Sequence, residues 1–154
     1  MKRVASIKEL TFDEIKCVWE KDLWKNKKFP IKTHSSMTFD GGYDMSYYNN
    51  NAYFWGLIDD QNRIIGTESG HQCNSKYFRI RGLWIDPKFR GLGLSEMLFN
   101  AAESYAKREK CNYIWSFPRN SALPVYQHFG YNVCSDPVND MDVGGIHWYV
   151  VKNI

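Results

Sequence analysis

Apolar residues recur at helical spacing through Leu94, Met97, Leu98, Ala101, Ala102 and Tyr105, which predicts an amphipathic helix with one face in a core. Glu103 and Lys107 pair at i,i+4 on its polar side, and Lys107, Arg108 and Lys110 gather where the helix dipole is negative. Near the start of the chain, Thr11-x-x-Glu14 forms a capping box for a second apolar stripe through Phe12, Ile15, Trp19 and Leu23. Between these helices the period falls to two. Residues 53–58, 63–72 and 77–85 read as an antiparallel meander that turns at Asp59-Asp-Gln-Asn62 and at Asn74-Ser75. With Asn74-Ser75 as the hairpin tip, Glu68 faces Arg81 and Gly70 faces Arg79 across the strands. Further strands are expected at residues 3–7, 112–117, 131–135 and 146–152, with a short helix from about Ala122 capped by Asn120 or Ser121. Residues 26–51 carry Pro30, Gly41, Gly42 and an Asn run, which predicts a long irregular segment, functional or partly mobile.

The passage from strand to helix at Ile85-Asp-Pro-Lys-Phe-Arg-Gly-Leu-Gly-Leu-Ser95 has the make-up of an anion site. The first N–H groups of a helix lack intrahelical partners, and the aligned peptide dipoles leave about half a positive charge there. Gly91 and Gly93 permit positive φ and remove Cβ atoms that would hold a phosphate off the backbone, while Arg90 adds a fixed cation. Two other phosphate motifs are excluded. No Lys-Ser/Thr follows the glycines as a P-loop requires, and Glu96 stands where the third Gly of a dinucleotide fingerprint belongs.

Arg90-x-x-Gly93-x-Ser95, preceded by Leu83-x-Ile85-x-Pro87, resembles the acetyl-CoA motif of the GNAT superfamily of N-acetyltransferases, Gln/Arg-x-x-Gly-x-Gly/Ala. Ser95 departs from the usual Gly or Ala but is still small. Ala122-x-x-x-Tyr126-x-x-x-Gly130-Tyr131 resembles the later motif of the same family, with Arg119 where an Asn is usual and Asn120 beside it. The resemblance implies an α+β (α/β/α) fold. It would have a central mixed, mostly antiparallel sheet of about six to seven strands, splayed at the acetyl-CoA site and flanked by about four helices. It implies acetyl-CoA as co-substrate, with the pantetheine along Leu83, Trp84 and Ile85 and the pyrophosphate at Arg90, Gly91, Leu92, Gly93, Leu94 and Ser95. It also implies Tyr126 close to the CoA sulfur, as the acid that protonates the departing thiolate.

Composition is consistent with one domain over residues 1–154, long enough to bury roughly two-thirds of the unfolded chain's surface. The 20 Lys and Arg against 17 Asp and Glu give only +3, too little to argue for nucleic acid. Cys17, Cys73, Cys111 and Cys134 show no CxxC spacing, which suits reduced thiols better than a zinc site, so no metal is expected. With no signal-peptide pattern and no membrane-length apolar run, the expectation is a cytoplasmic protein, a monomer or homodimer, acting on a small-molecule amine.

The general base is open at this level. The resemblance directs attention to positions 79 and 81, and arginines there stay protonated. Glu68 is the leading alternative, with His71 next and a water chain after them; an ion pair with Arg81 is the plain structural reading of Glu68. For the acceptor, Tyr43 and Asp44 offer a ring and a carboxylate to an ammonium, and Arg79 and Arg81 offer guanidinium groups to an acceptor carboxylate. The missing base leaves a second reading, a non-catalytic acyl-CoA-binding domain of the same fold. A nucleotide-binding module stands third.

Overall fold

The structure, a computed structural model, describes residues 5–154; the expected strand at 3–7 therefore lies partly outside the described residues. Strand β1 (Ala5–Glu9) leads into helix α1 (Phe12–Val18), whose capping box forms as the sequence requires. Thr11 Oγ1 accepts from the Glu14 N–H at 3.1 Å, and the Glu14 carboxylate accepts from the Thr11 N–H at 2.9 Å. The helix ends in a π turn over Trp19–Leu23, closed by the Trp24 N–H on the Trp19 carbonyl. That extra residue per turn brings the Trp19 and Trp24 rings to 4.8 Å from each other.

After the irregular segment come β2 (Ala52–Asp59), β3 (Ile64–Gln72) and β4 (Tyr77–Ile85), then α2 (Ser95–Arg108), β5 (Tyr113–Ser116) and α3 (Leu123–His128). Four short strands finish the chain: β6 (Asn132–Val133), β7 (Val138–Asn139), β8 (Ile146–His147) and β9 (Val150–Asn153). The main sheet runs β1-β2-β3-β4-β5-β9-β6, with β4 and β5 as its parallel pair, and β7 and β8 form a separate hairpin. The expected strand at 146–152 is thus split. Its first part joins β7, the Trp148 N–H donates to the Pro118 carbonyl at 3.0 Å, and only Val150 onward reaches β5.

Alternation along β2 sorts the two faces. Trp55 and Leu57 pack beneath α2 together with Phe78, Ile80, Ile114 and Val150, while Phe54 faces α1 with Ile15, Trp19 and Ile58. The buried face of α2 is Leu98, Phe99, Ala102 and Ala106, turned about one residue from the expected stripe. Phe99 accounts for the rotation, because its ring meets Tyr126 at 5.1 Å, Phe129 at 4.8 Å and Tyr131 at 5.6 Å, and so closes the core under α3. Asn120 does not cap α3; its side-chain oxygen accepts from the Trp148 indole N–H at 2.9 Å.

The register of β3 against β4 also differs from expectation. Ser69 pairs with Arg81 and His71 with Arg79, whereas Thr67 pairs with Trp84. Gly82 and Leu83 together therefore stand opposite Glu68, a β-bulge. Gly82 has φ +71, and a Cβ there would lie 2.2 Å from the Trp19 ring, so the bulge requires glycine. Its carbonyl accepts from Thr67 Oγ1 at 2.9 Å and from Trp19 Nε1 at 3.0 Å, which pins the bulge to the π turn.

Candidate active site

Strands β4 and β5 pair only from Tyr77 to Arg79. Beyond that point the Ser116 hydroxyl donates to the Ile80 carbonyl at 2.8 Å and caps the ladder, and the two strands part. The gap widens into a cleft of about 480 Å³ between the end of β4, the turn before α2 and the start of α3. Leu83, Trp84, Ile85, Arg90, Gly91, Gly93, Leu94 and Ser95 line it, as the sequence led one to expect. Leu92 is the exception: it is 57% exposed and lies outside the lining. Gly91 and Gly93 have φ of +77 and +74, and a Cβ on either would meet no atom within 4 Å, so the backbone is open to a ligand from that side. Leu94 occupies the N-cap of α2 without a side-chain cap bond; the Met97 N–H donates to the Leu94 carbonyl at 3.1 Å, and the Ser95 and Glu96 N–H groups at the start of the helix are suited to an anion. At the strand end, the Arg90 Nε–H donates to the Ile85 carbonyl at 2.8 Å, so that carbonyl is already engaged.

A narrow junction of about 70 Å³ leads on from this cleft, sharing Leu83, Arg119 and Ala122 with it. It also shares Arg81 and Phe117 with a cavity of about 820 Å³. Tyr126, Ser116 and His147 line the junction. Tyr126 is 3% exposed, and its hydroxyl lies 3.4 Å from the Ser116 hydroxyl, whose own proton goes to Ile80. Burial, and after it the neighbouring Glu68, push the phenol well above its ordinary range, so Tyr126 holds its proton in the free protein.

Glu68 does not form the ion pair with Arg81 that the hairpin register suggested. Because Ser69 and not Glu68 pairs with Arg81, Glu68 shares a face with Trp55 and points into the core, fully buried, with neither carboxyl oxygen hydrogen-bonded. It lines none of the three cavities. Desolvation raises its carboxyl well above the usual range, opposed only by the Trp55 indole, so it is held neutral. His71 is buried as well. Its Nε2 accepts from the Ser35 N–H at 3.1 Å, and desolvation followed by Arg79 and Arg81 drives its pKa well down, so its basic lone pair is already spent.

His147 carried no signal in the sequence beyond being one of four histidines, and the structure brings it to the junction wall. It is 4% exposed and stacked on Phe117 at 5.0 Å. Its Nδ1 lies 3.1 Å from the Gly145 carbonyl, which can only accept, so the proton of the neutral ring sits on Nδ1 and Nε2 presents a lone pair. Nε2 in turn lies 3.8 Å from an Asp140 carboxylate oxygen, close enough to stabilise an imidazolium. Burial lowers the pKa first, and Arg119 and Arg79 lower it further, against the Gly145 carbonyl and Asp140.

Of the residues expected to meet the acceptor, Tyr43 lines the large cavity and is 77% exposed at its mouth. Asp44 does not. Its carboxylate accepts from the Ser46 N–H at 2.8 Å and closes a local turn. Asp142 binds the 27–29 segment through the Lys27 ammonium and the N–H groups of Lys28 and Phe29. Arg81 lies against the adjoining rings of Trp19 and Trp24, 5.1 and 5.0 Å from their centroids, and Arg79 lies over Trp115 at 4.7 Å. Among the described residues, no group of three or more His, Cys, Asp or Glu is placed to hold a metal ion, and no helix is long and apolar enough to cross a membrane.

The splayed sheet has counterparts among solved structures. Ard1 from Thermoplasma volcanium superposes with a TM-score of 0.71 over 99% of each chain at 14% identity. A GNAT family acetyltransferase from Elizabethkingia anophelis, with acetyl-CoA bound, gives 0.62 over 99% of this chain and 100% of its own at 14% identity. A spermidine/spermine N-acetyltransferase from Vibrio cholerae gives 0.65 over 97% and 93% at 15% identity. Identity this low establishes the fold alone, and no curated protein matches the chain. The family is established independently, by the family model of the GNAT acetyltransferases, which matches residues 18–131 and so takes in the bulge, the glycine turn and Tyr126. With 114 of its 154 residues inside that match, the chain belongs to the acetyltransferase (GNAT) family.

Proposed function

We propose that this acyltransferase moves an acetyl group from acetyl-CoA to a primary amine of a small molecule by direct attack on the thioester, within one domain formed by the whole chain. The observation that carries the reading is that three neighbouring spaces share lining residues: an open phosphate cradle, a junction walled by Tyr126 and His147, and a cavity large enough for an acceptor. The residues present fit acetyl-CoA. The uncapped start of α2 and the unobstructed face of Gly91 and Gly93 suit the pyrophosphate, and the open edge of β4 suits pantetheine amides, apart from the engaged Ile85 carbonyl. Bound acetyl-CoA supplies the activated acyl group, and the rest falls to the protein.

In this reading the amine enters from the large cavity and His147 Nε2 takes its proton as nitrogen bonds to the carbonyl carbon. Asp140 stabilises the imidazolium that results. The backbone of the Gly82–Leu83 bulge lines the junction and is the nearest source of N–H donors for the charge developing on the carbonyl oxygen. When the carbon–sulfur bond breaks, Tyr126 gives its hydroxyl proton to the thiolate. Burial raises the phenol's pKa, and the same desolvation raises the proton affinity of a thiolate held beside it, which favours the transfer. Amine and thioester thus become amide and thiol. The donor assignment is tested by thermal stability: acetyl-CoA raises the melting temperature in proportion to ln(1 + [L]/Kd), and ATP or NAD at equal concentration does not. Equal shifts from all three would remove it.

A further inference from the structure

The junction contains more positive charge than an amine acceptor alone would favour. Arg79 and Arg81 are each 8% exposed, and among the described residues neither forms an ion pair with a carboxylate. Arg79 donates from Nη1 to the Ser35 hydroxyl, and its Nε–H is buried with no partner at all. Of the five N–H groups of Arg81, one on Nη1 donates to the Lys32 carbonyl at 3.0 Å, and no other has an acceptor among the described residues. The nearby carboxylates are committed elsewhere: Asp142 to Lys27, Asp40 to Thr38 and the Gly42 N–H, and Asp140 to the turn N–H groups and His147. Stacking on indole rings offsets part of the desolvation, yet two buried guanidinium groups of like charge still repel, and Arg81 is driven down to about 9 by burial and then by Arg79.

Resting on the acetyl-transfer reading, we propose that Arg81, backed by Arg79, binds a carboxylate of the acceptor, so that the acceptor is an amino acid or a close analogue. Arg81 lines both the large cavity and the junction, and His147 lines the junction too. A space of about 70 Å³ holds only a few heavy atoms, so a carboxylate on Arg81 and a nitrogen at His147 that share it would sit on the same or neighbouring carbons. That is the arrangement of an α- or β-amino acid, and the fork of a guanidinium matches a carboxylate bidentately. The same charge keeps more of the acceptor nitrogen neutral and ready for attack. Phe117, Tyr149, Tyr43 and Met141 line the large cavity beside Lys32 and Asp40, so its mixed walls leave room for an apolar or aromatic side chain, and the amino acids tested are chosen to probe this.

The test uses matched sets: L-phenylalanine, L-leucine and L-methionine, their decarboxylated amines, and hydrocinnamate and isocaproate, which keep the carboxylate and lack the amine. With wild-type protein, thiol release from acetyl-CoA should have a kcat/KM roughly ten- to a hundredfold higher for amino acids than for the amines, the value of a charge-assisted pair. Arg81→Gln should erase that preference by raising KM for the amino acids only. Arg81→Lys, which keeps the charge and loses the fork, should fall between them and guards against loss of fold, as read from its melting temperature. Equal kcat/KM for amines and amino acids, or a uniform effect of Arg81→Gln on both, overturns the proposal. The acids decide independently of turnover. Arg81-dependent stabilisation by hydrocinnamate or isocaproate supports the carboxylate site even if no amine releases thiol, in which case acetyl transfer is the reading that falls; no stabilisation by either acid counts against the site.

Discussion

Replacing Glu68 by Gln separates a structural carboxyl from a catalytic one. In the native protein the Glu68 side chain is fully buried, lacks hydrogen-bond partners and is held neutral by desolvation. In the unfolded chain it ionises near ~4.3. Below that pH both states carry the proton and the residue contributes its full share to stability. Above it the unfolded state releases the proton while the native state keeps it, so unfolding becomes easier by about 1.4 kcal/mol for each pH unit until the raised native pKa is passed. Gln has no proton to lose and erases this slope. His71, His34 and His147, all with lowered pKa values, act in the opposite sense by losing stability as the pH falls below about 6.5, but wild type and variant share them. The difference in urea unfolding free energy between Glu68→Gln and wild type should therefore grow by about 1.4 kcal/mol per unit upward from about pH 5. Parallel curves would refute the buried neutral carboxyl. On the same footing, kcat of Glu68→Gln should stay within about threefold of wild type, and a loss of a hundredfold or more would return Glu68 to the chemistry as a base.

Tyr126→Phe keeps the ring contacts with Phe99 and Tyr131 and loses only a long contact with Ser116, so its stability should change by less than about 1 kcal/mol while kcat falls roughly ten- to a thousandfold. Acetyl-CoA affinity should be unchanged, and turnover at the wild-type rate would make Tyr126 structural. His147→Asn keeps a donor for the Gly145 carbonyl and removes Nε2, so kcat/KM should drop by about the same factor. In wild type the acid limb of the pH profile should lie below about 6.5, since burial, Arg119 and Arg79 outweigh the Gly145 carbonyl and Asp140. An unchanged acid limb in His147→Asn would assign the proton to another group.

The cleft proposed to hold the cofactor was legible because it is local. A strand, two glycines and a helix start are consecutive, and eight of the nine residues expected there line the cleft, while the Leu92 side chain is exposed outside the lining. Tyr126 was legible through the spacing of a second local motif. The acceptor side depends on contacts between distant segments. One bulge residue at Gly82 shifted the β3–β4 register and carried Glu68 from the Arg81 face into the core, and that glycine is demanded by Trp19, more than sixty residues away. The placement of His147 was hidden for the same reason. His147 reaches the junction only because β8 leaves the main sheet to pair with β7, a division that the strand-like sequence of residues 146–152 does not announce.

Release of free thiol from acetyl-CoA, followed with and without a panel of amines and amino acids, tests the central claim most directly. The account predicts release that requires an amine, saturates with the favoured acceptor, and is matched by formation of its N-acetyl product. Thiol release that is absent with every amine, or that proceeds at the same rate without one, would contradict it.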